Sequence, residues 1–207
     1  MPKEFDQKYV DRFEDPARDE YQRFDELFAA LRDIIAPRTN GLVGVDVGGG
    51  TGYLARKCAA TGLFDKVYSV DISESLTEWA KNKLQSESAE MQQIVEPIMG
   101  KPDGFELPKR ADFIVQNAVY HHLENHEEYF ARLAKDNASD KAIMLVIDFR
   151  ADKKNVRNGE EFGPKHEWNA KVPRAQVVAT IEKTGQWKLV KELVFEFHYN
   201  LFFEKKT

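Results

Sequence analysis

Short apolar runs alternate with amphipathic segments along most of the chain. The first amphipathic segment predicts a helix at about 21–35, because large apolar side chains recur there at helical spacing. Pro37 and the turn-forming residues 38–41 are expected to end this helix. Five strands are predicted from the apolar runs that follow, at 42–47, 66–71, 93–99, 112–116 and 141–149.

Helices are predicted between these strands. One covers roughly 52–60, and the next begins at an N-cap residue, Ser73 or Ser75. Another contains Tyr129, Phe130 and Leu133, and the last begins at Pro173 and ends before Gly185. Residues 187–205 read as two strands with a connection too short for a parallel pair. The predicted fold class is α/β, a doubly wound, mostly parallel seven-stranded sheet with an antiparallel C-terminal hairpin.

A length of 207 residues predicts a single domain. Its expected parts are an N-terminal helical cap (1–36), a ligand-binding half (37–150), a long loop (151–172) and a final helix with a hairpin (173–207). The loop has no hydrophobic periodicity, and loops of this length are usually functional or mobile. We expect it to lie over the crevice at the carboxyl ends of the strands. Its residues His166 and Trp168 either cap that crevice or are simply exposed.

Composition and charge exclude several classes of protein. The formal net charge of −5 disfavours broad electrostatic binding to nucleic acid. The longest apolar run, at 142–147, is too short to cross a membrane, and the N-terminus resembles no secretory signal. The single cysteine, Cys58, excludes an intrachain disulfide and disfavours a structural zinc site. We therefore expect a cytoplasmic protein with no bound metal; the sequence indicates no oligomeric state.

The segment VDVGGGTGYLA (45–55) contains four of the twelve glycines within five positions. It follows the first predicted strand, and ligands of such sheets bind at the carboxyl ends of strands. Glycines allow a tight turn and let a ligand approach bare backbone. The helix that follows directs its N-terminal N–H groups toward the same place. The segment therefore predicts a nucleotide-binding loop.

Two classes of nucleotide compete for this loop. Residues 50–55 (GTGYLA) satisfy a dinucleotide fingerprint, with Asp71 about twenty residues further on, which would indicate an NAD(P)-dependent oxidoreductase. However, Asp46 lies at the end of the strand, where a carboxylate repels a pyrophosphate and suits an ammonium or sulfonium group. Asp71 could accept hydrogen bonds from both ribose hydroxyls. These two acids favour a cationic adenosyl ligand.

The same residues, together with VYSVD (67–71), resemble the nucleotide-binding region of class I S-adenosylmethionine (SAM)-dependent methyltransferases, in particular a bacterial group of small-molecule type. Further segments resemble the family at 13–22, 100–108, 111–125 and 173–185, whereas DNASDK (136–141) departs from its usual turn before the fifth strand. The resemblance implies a Rossmann-like fold, SAM as cofactor and S-adenosylhomocysteine (SAH) as product. It implies that the glycines wrap the methionine part, that Asp46 binds its amino group and Asp71 the ribose, and that Asp103 reaches the adenine amine. The cofactor-binding residues expected in this way are Asp46, Gly48, Gly50, Gly52, Asp71, Ile72, Asp103 and Asn117.

Candidate catalytic residues follow the fourth strand. His121 and His122 are expected close to the transferred methyl group, where either could act as a general base. Alternatively, one packs within the turn and the other is solvated; a metal site is disfavoured because no further ligands cluster with them. Tyr120 either lines the acceptor pocket or belongs to the core. Cys58 is expected in the core rather than as a nucleophile.

Further polar residues are candidates for binding the methyl acceptor. Asp148 and Arg150 close the fifth strand and either bind the acceptor or form an ion pair with each other. Arg18 and Gln22 either fold over the cofactor, as the resemblance implies, or lie on a solvated helix face, and Arg18 is also a candidate for binding the acceptor. The sequence therefore predicts a SAM-dependent methyltransferase acting on a small molecule. The alternatives are the oxidoreductase and a methyltransferase-like protein that binds without turnover.

Overall fold

The computed structural model describes residues 7–35, 41–101, 104–152, 156–157, 160–161 and 171–207. The chain divides into two compact units, Met1–Ile114 and Val115–Thr207. The turn expected at Pro37, the predicted adenine contact Asp103, and the loop residues His166 and Trp168 lie outside the described residues.

The first unit contains the N-terminal helices and the first strands. Its elements are α1 (Gln7–Glu14), α2 (Ala17–Tyr21), α3 (Phe24–Ile35), β1 (Leu42–Val47), α4 (Tyr53–Ala60), β2 (Phe64–Asp71), α5 (Glu74–Gln85), α6 (Ala89–Ile94), β3 (Val95–Met99) and the first part of β4 (Ala111–Asn117). The strands and helices predicted here are present, with two corrections. The helix expected at 21–35 begins at Phe24. Arg23 has a φ of 53°, which is not helical, so α2 and α3 are separate helices. Residues 93–94 end the unpredicted helix α6, so β3 starts at Val95.

Strands β1, β2 and β3 form a parallel ladder. Every residue of β1 is buried, as expected for a parallel strand covered on both faces. The register pairs Asp46 of β1 with Ser69 of β2, and Asp71 of β2 with Met99 of β3. Ser73 caps α5 as predicted, since its hydroxyl oxygen accepts a hydrogen bond from the Leu76 N–H at 3.3 Å. The ladder thus brings the carboxyl ends of the three strands to one edge of this unit.

The second unit contains the remaining elements. These are a 3₁₀ turn (Tyr120–His122), α7 (His126–Arg132), a π-helical turn (Leu133–Asn137), β5 (Ala138–Phe149), β6 (Val156–Arg157), β7 (Glu160–Glu161), α8 (Arg174–Lys183), β8 (Trp187–Val194) and β9 (His198–Lys205). Strand β9 pairs antiparallel with β5 and with β8, which confirms the C-terminal hairpin. The seven strands of the main sheet follow the order β3-β2-β1-β4-β5-β9-β8, which confirms the predicted fold class.

Two segments of the second unit differ from expectation. Strand β5 begins at Ala138, so it runs through the turn expected at 136–141, and Lys141 has a φ of 60° within it. A small hairpin, β6 and β7, forms in the segment expected to be loop. Pro173 precedes α8 and Gly185 follows it with a φ of 74°, as predicted. Among the described residues, no helix is both long and apolar enough to cross a membrane.

Candidate cofactor and active site

The loop between β1 and α4 turns at three glycines. Gly48, Gly50 and Gly52 have φ values of 71°, 55° and 72°, in the left-handed region that favours glycine. The N–H groups of Gly48 and Gly49 both donate to the carbonyl oxygen of Val70, at 2.8 and 3.0 Å. The loop is therefore fixed to the end of β2, and the three predicted positions require glycine for backbone reasons.

Gly49 is a further required glycine, for a reason that spacing alone does not indicate. A Cβ atom at this position would lie 2.3 Å from the Ser69 hydroxyl oxygen and 3.1 Å from Asp46 Oδ2. No real Cβ tolerates the first distance, and both neighbours are themselves packed, since Ser69 is 3% and Asp46 2% exposed. The sequence signal for Gly49 is only its place in an unbroken run of glycines. Because Gly49 has no side chain, the loop can pack directly against the Asp46 carboxyl.

Asp46 carries a buried carboxyl at the end of β1. Its Oδ2 atom has no hydrogen-bond partner among the described residues. Burial raises the pKa of Asp46 to about 7; the Arg18 guanidinium and a backbone N–H from Ala55 oppose this rise, and the Asp71 carboxyl adds to it. A buried polar atom without a partner is costly, and such atoms need an explanation. A ligand ammonium group would satisfy this oxygen and favour the ionised carboxylate.

Asp71 ends β2 and connects two loops. Its Oδ2 accepts a hydrogen bond from the Gly50 N–H at 2.8 Å, and its Oδ1 accepts one from the Ser73 N–H at 2.8 Å. Burial raises the pKa of Asp71, and the N–H donors of Ser73, Gly50 and Ile72 lower it in part. Because a carboxylate offers about four acceptor positions, each oxygen keeps capacity for another donor. The predicted hydrogen bonds to ribose hydroxyls are therefore compatible with this geometry.

Two apolar side chains are exposed beside Asp71. Ile72 is 57% and Met99 is 48% exposed, although large apolar residues are mostly buried elsewhere in the described chain. Met99 pairs with Asp71 in the parallel register, and its sulfur lies 3.8 Å from the Thr77 hydroxyl. Ile72 was expected to contact the cofactor; Met99 was missed, because only the register of β3 places it there. Together, the two side chains form an exposed apolar surface on which a flat ring could pack.

Arg18 is buried in α2, so the alternative of a solvated position is wrong. The residue is 6% exposed, and its guanidinium lies over the rings of Phe13 and Tyr53, 4.9 and 5.3 Å from their centroids. One of its nitrogens donates to the Phe13 carbonyl at 2.7 Å. Tyr53, the first residue of α4, also donates to Asp19 of α2 at 2.7 Å. These contacts hold α2 against the helix that begins at the glycine loop.

Arg56 connects the glycine loop itself to α1. Its guanidinium donates to the Thr51 carbonyl at 2.9 Å and to the Glu14 carboxylate at 2.6 Å. The Arg56 side chain is only 10% exposed, so this ion pair is partly shielded from water. The hydroxyl of Thr51 is buried without a hydrogen-bond partner among the described residues. The N-terminal helices are therefore anchored to the same loop that covers Asp46.

In the second unit, His121 pairs with Asp148. The His121 Nδ1 atom lies 2.9 and 3.0 Å from the two carboxylate oxygens, and the side chains are 1% and 3% exposed. The His121 backbone N–H also points to Asp148, at 3.3 Å. His122 is exposed, and its ring lies 4.1 Å from that of His121. The two histidines thus have different surroundings: His121 is held in place, and His122 faces solvent.

The other candidate residues of this unit are Arg150, Tyr120 and Asn117, and each has a different environment. Arg150 donates to the Asp152 carboxylate at 2.9 and 2.6 Å, so the ion pair considered for Arg150 with Asp148 is replaced by one with Asp152. Tyr120 is 1% exposed and packs on His126 and Phe130, as a core residue does. Asn117 ends β4 in a half-buried position, and its role in cofactor binding stays a prediction.

A family model described as a methyltransferase domain matches residues 19–185. The chain belongs to this family. A curated relative from Bacillus cereus, an uncharacterized methyltransferase, is 30% identical over 149 residues. That match covers 68% of this chain and 66% of the relative, so the chain spans just under two thirds of the relative's length.

Solved structures share the fold. A SAM-dependent methyltransferase from Aquifex aeolicus superimposes with a TM-score of 0.75 at 20% identity, covering 98% of this chain and 100% of that one. The glycopeptide N-methyltransferase MtfA, complexed with SAM, gives a TM-score of 0.65 at 13% identity, covering 86% and 87% of the two chains. The predicted class, a SAM-dependent methyltransferase of class I, is confirmed at the level of family and fold. This decides between the two nucleotide classes that the glycine motif left open.

The packing of Gly49 predicts a specific loss in Gly49→Ala. We expect its free energy of unfolding to fall by about 1–3 kcal/mol through overpacking, and its affinity for SAM to fall at least tenfold. Gly185→Ala is the matched control, because Gly185 has a φ of 74° but no atom within 4 Å of an added Cβ. It should show a stability loss of about 1–2 kcal/mol with unchanged SAM affinity. Equal SAM affinity in Gly49→Ala and the wild type would contradict the packing argument.

The raised pKa of Asp46 predicts a pH-dependent stability. The unfolded chain releases this proton near its ordinary pKa of 3.8, whereas the folded protein keeps it until about pH 7. The cofactor-free protein should therefore lose about 2–3 kcal/mol of unfolding free energy between pH 5 and pH 8 from this group. Asp46→Asn should lack this part of the slope in urea titrations. Identical slopes in the two proteins would show that Asp46 is not buried as described.

Proposed function

We propose that this chain transfers the methyl group of SAM to a small-molecule acceptor. The observation that carries the proposal is the Asp46 carboxyl, which is 2% exposed and has an oxygen without a partner among the described residues. An α-amino group is a cation of the right size for that oxygen. The nearby Arg18 guanidinium, which acts on Asp46 electrostatically, would complement an α-carboxylate. The pair therefore fits the zwitterionic end of the methionine moiety.

The remaining cofactor contacts are proposed from the first unit. Asp71 would accept hydrogen bonds from the ribose hydroxyls through the acceptor capacity left on each oxygen. Ile72 and Met99 would cover the adenine ring with their exposed apolar side chains. Gly48, Gly50 and Gly52 would let the methionine part approach the backbone. Asp103 and Asn117 complete the proposed set of cofactor-binding residues, on the strength of the family resemblance.

When bound, SAM supplies a methyl group on a sulfonium, which an acceptor lone pair attacks in line while the C–S electron pair returns to sulfur. The protein's tasks are to align the acceptor, exclude water and, where needed, remove a proton. Asp46, Arg18 and Asp71 would fix the cofactor at three separate polar groups. The attachments of α1 and α2 to α4 would shield the same loop from solvent.

A small-molecule acceptor is supported by a cleft in the second unit. The cleft has a volume of about 470 Å³ and is lined by Arg150, Ala151, Asp152, Pro173, Arg174, Ala175, Val194 and Tyr199. Small-molecule sites commonly enclose ~300–1,000 Å³. Arg150, the proposed acceptor-binding residue, is among the lining residues. The chain's formal net charge of −5 also disfavours a nucleic acid as acceptor.

Calorimetry tests the cofactor assignment. SAM and SAH should both bind the purified, cofactor-free protein, and Asp71→Ala should weaken both at least tenfold, or about 1.4 kcal/mol. Asp65→Ala is the matched control, because Asp65 is an exposed aspartate on the same strand. Its affinities should equal those of the wild type. No heat of binding for either ligand with folded wild-type protein would refute the proposed function.

Radiolabelled SAM tests the acceptor class. After incubation of the protein with [methyl-³H]SAM and a bacterial extract, we expect the label in the small-molecule fraction, with less than a tenth of it in protein, RNA or DNA. Asp46→Asn serves as the control for enzyme-dependent labelling, since weak cofactor binding should abolish transfer. Label found mainly in a macromolecular fraction would overturn the small-molecule part of the proposal and leave the methyltransferase part in place.

A further inference from the structure

We propose that Arg56 is a positioning residue for the cofactor, which holds the glycine loop in its binding conformation while α1 is docked through Glu14. This inference rests on the proposed function, and it deepens that function by coupling the cofactor site to the N-terminal helices. Arg56 acts through the backbone of the loop. Arg56 and the groups that it contacts, in α1, in the loop and after α5, all belong to the first unit.

The first part of the glycine loop is fixed at the end of β2. The N–H groups of Gly48 and Gly49 donate to the Val70 carbonyl oxygen. The N–H group of Gly50 donates to the Asp71 carboxylate at 2.8 Å. These bonds orient the peptide groups that precede Thr51, and the later part of the loop is held from α4.

Thr51 lies between two glycines in the left-handed region. Gly50 and Gly52 have φ values of 55° and 72°. Glycine adopts positive and negative φ about equally, so peptide groups beside these two residues can reorient at low cost. A loop built in this way admits a ligand close to its backbone, but it binds well only if contacts from outside select one conformation.

Arg56 supplies such contacts to two successive carbonyl groups. Its guanidinium donates to the Thr51 carbonyl oxygen at 2.9 Å, and its backbone N–H donates to the Gly52 carbonyl oxygen at 3.0 Å. The guanidinium also packs against the loop, since a Cβ atom at Gly52 would lie 3.6 Å from Arg56 Nη1. One residue therefore fixes the backbone where the loop enters α4.

Glu14 holds the guanidinium in this place. Its Oε2 atom lies 2.6 Å from Arg56, and the Glu87 carboxylate lies 3.7 Å from the Arg56 Nε atom. The side chains of Arg56 and Glu14 are 10% and 19% exposed, so removing either one leaves the other charge poorly compensated. The Glu14 Oε1 atom is buried without a hydrogen-bond partner among the described residues, which makes Glu14 still more dependent on Arg56.

The same guanidinium thus serves the docking of α1 and the shape of the loop. Coupling between two sites is reciprocal, so each event favours the other by the same factor. A bound cofactor, which selects one loop conformation, should stabilise the docked α1. A docked α1 should raise the affinity for the cofactor by preparing the loop. An ion pair that only braced the fold would change stability and leave this affinity unchanged.

Calorimetry with SAH tests the positioning role. Arg56→Gln and Glu14→Gln should each lower SAH affinity at least fivefold, because the loop is no longer held. Lys57→Gln is the matched control: Lys57 also joins α4 to the N-terminal helices, but it pairs with Asp19 and both side chains are over a third exposed. Its affinity should stay within twofold of the wild type. Equal SAH affinity in folded Arg56→Gln and the wild type, whatever the change in urea stability, would overturn the positioning role.

The double variant tests whether Glu14 acts through Arg56. Once Arg56 has been replaced, the further change Glu14→Gln should lower SAH affinity by no more than twofold, because the contact that it supported is already lost. Losses that multiply in the double variant would show that Glu14 acts independently of Arg56 and would overturn the coupling.

Hydrogen exchange tests the coupling in the unmodified protein. Saturating SAH should slow amide exchange in α1 at least fivefold in the wild type, and Glu14→Gln should lose this protection. Helix α8 of the second unit is the internal control and should exchange equally with and without SAH. These two proteins are sufficient for the test if Arg56→Gln does not fold. Equal exchange of α1 with and without SAH in the wild type would overturn the coupling.

The outcomes separate this inference from the proposed function. A wild-type protein that binds SAH, with folded Arg56→Gln and Glu14→Gln that bind it equally well, overturns the inference and leaves the methyltransferase intact. A folded wild-type protein that binds neither SAM nor SAH refutes the proposed function and this inference with it.

Discussion

The candidate cofactor site of the first unit depends on one buried carboxyl group, that of Asp46 at the end of β1. Asp46 is buried, and burial raises its pKa to about 7. The glycine loop can cover it because Gly49 has no side chain to meet Ser69 and Asp46. Arg18, stacked on Tyr53, supplies a positive charge whose effect on Asp46 is the largest that opposes burial. The unit thus keeps a costly polar group where a cationic ligand can compensate for it.

The buried carboxyl of the second unit, that of Asp148, differs from Asp46 in having hydrogen-bond partners on both oxygens. Asp148 is about as buried as Asp46, but it is hydrogen-bonded to the His121 ring and accepts hydrogen bonds from backbone N–H groups. A paired carboxylate of this kind orients the ring that it contacts. Asp46 is suited to bind a charged ligand, whereas Asp148 joins the turn after β4 to the end of β5 through His121. The chemistry that each acid can perform follows from how fully the protein itself satisfies it.

Much of this was predictable from local sequence. The apolar runs located the strands, Ser73 identified a helix start, and the glycine spacing identified three residues with positive φ. Gly49, Met99 and the His121–Asp148 pair were not predicted as such. Each depends on a partner distant along the chain, namely Ser69, the register of β3 and the end of β5. Local patterns report backbone conformation and burial, but contacts between elements depend on register and packing.

The N-terminal helices illustrate the same limit. Charged residues at 13–22 are equally compatible with a solvated helix face, yet Arg18 is buried between two aromatic rings. Its cost of desolvation is met by ring contacts and by the Phe13 carbonyl, neither of which follows from helical spacing. The charged residues of this segment therefore suggested a polar surface, whereas the fold buries Arg18.

The most direct test of the central claim is the number of protons released when SAM binds. At pH 6, titrations in two buffers of different ionisation enthalpy should show that the wild type releases most of one proton, because Asp46 ionises against the ligand ammonium group. Asp46→Asn should bind more weakly and release none from this position. Tight SAM binding with no proton release, or equal release in both proteins, would contradict the assignment of Asp46 as the buried carboxyl that recognises the cofactor.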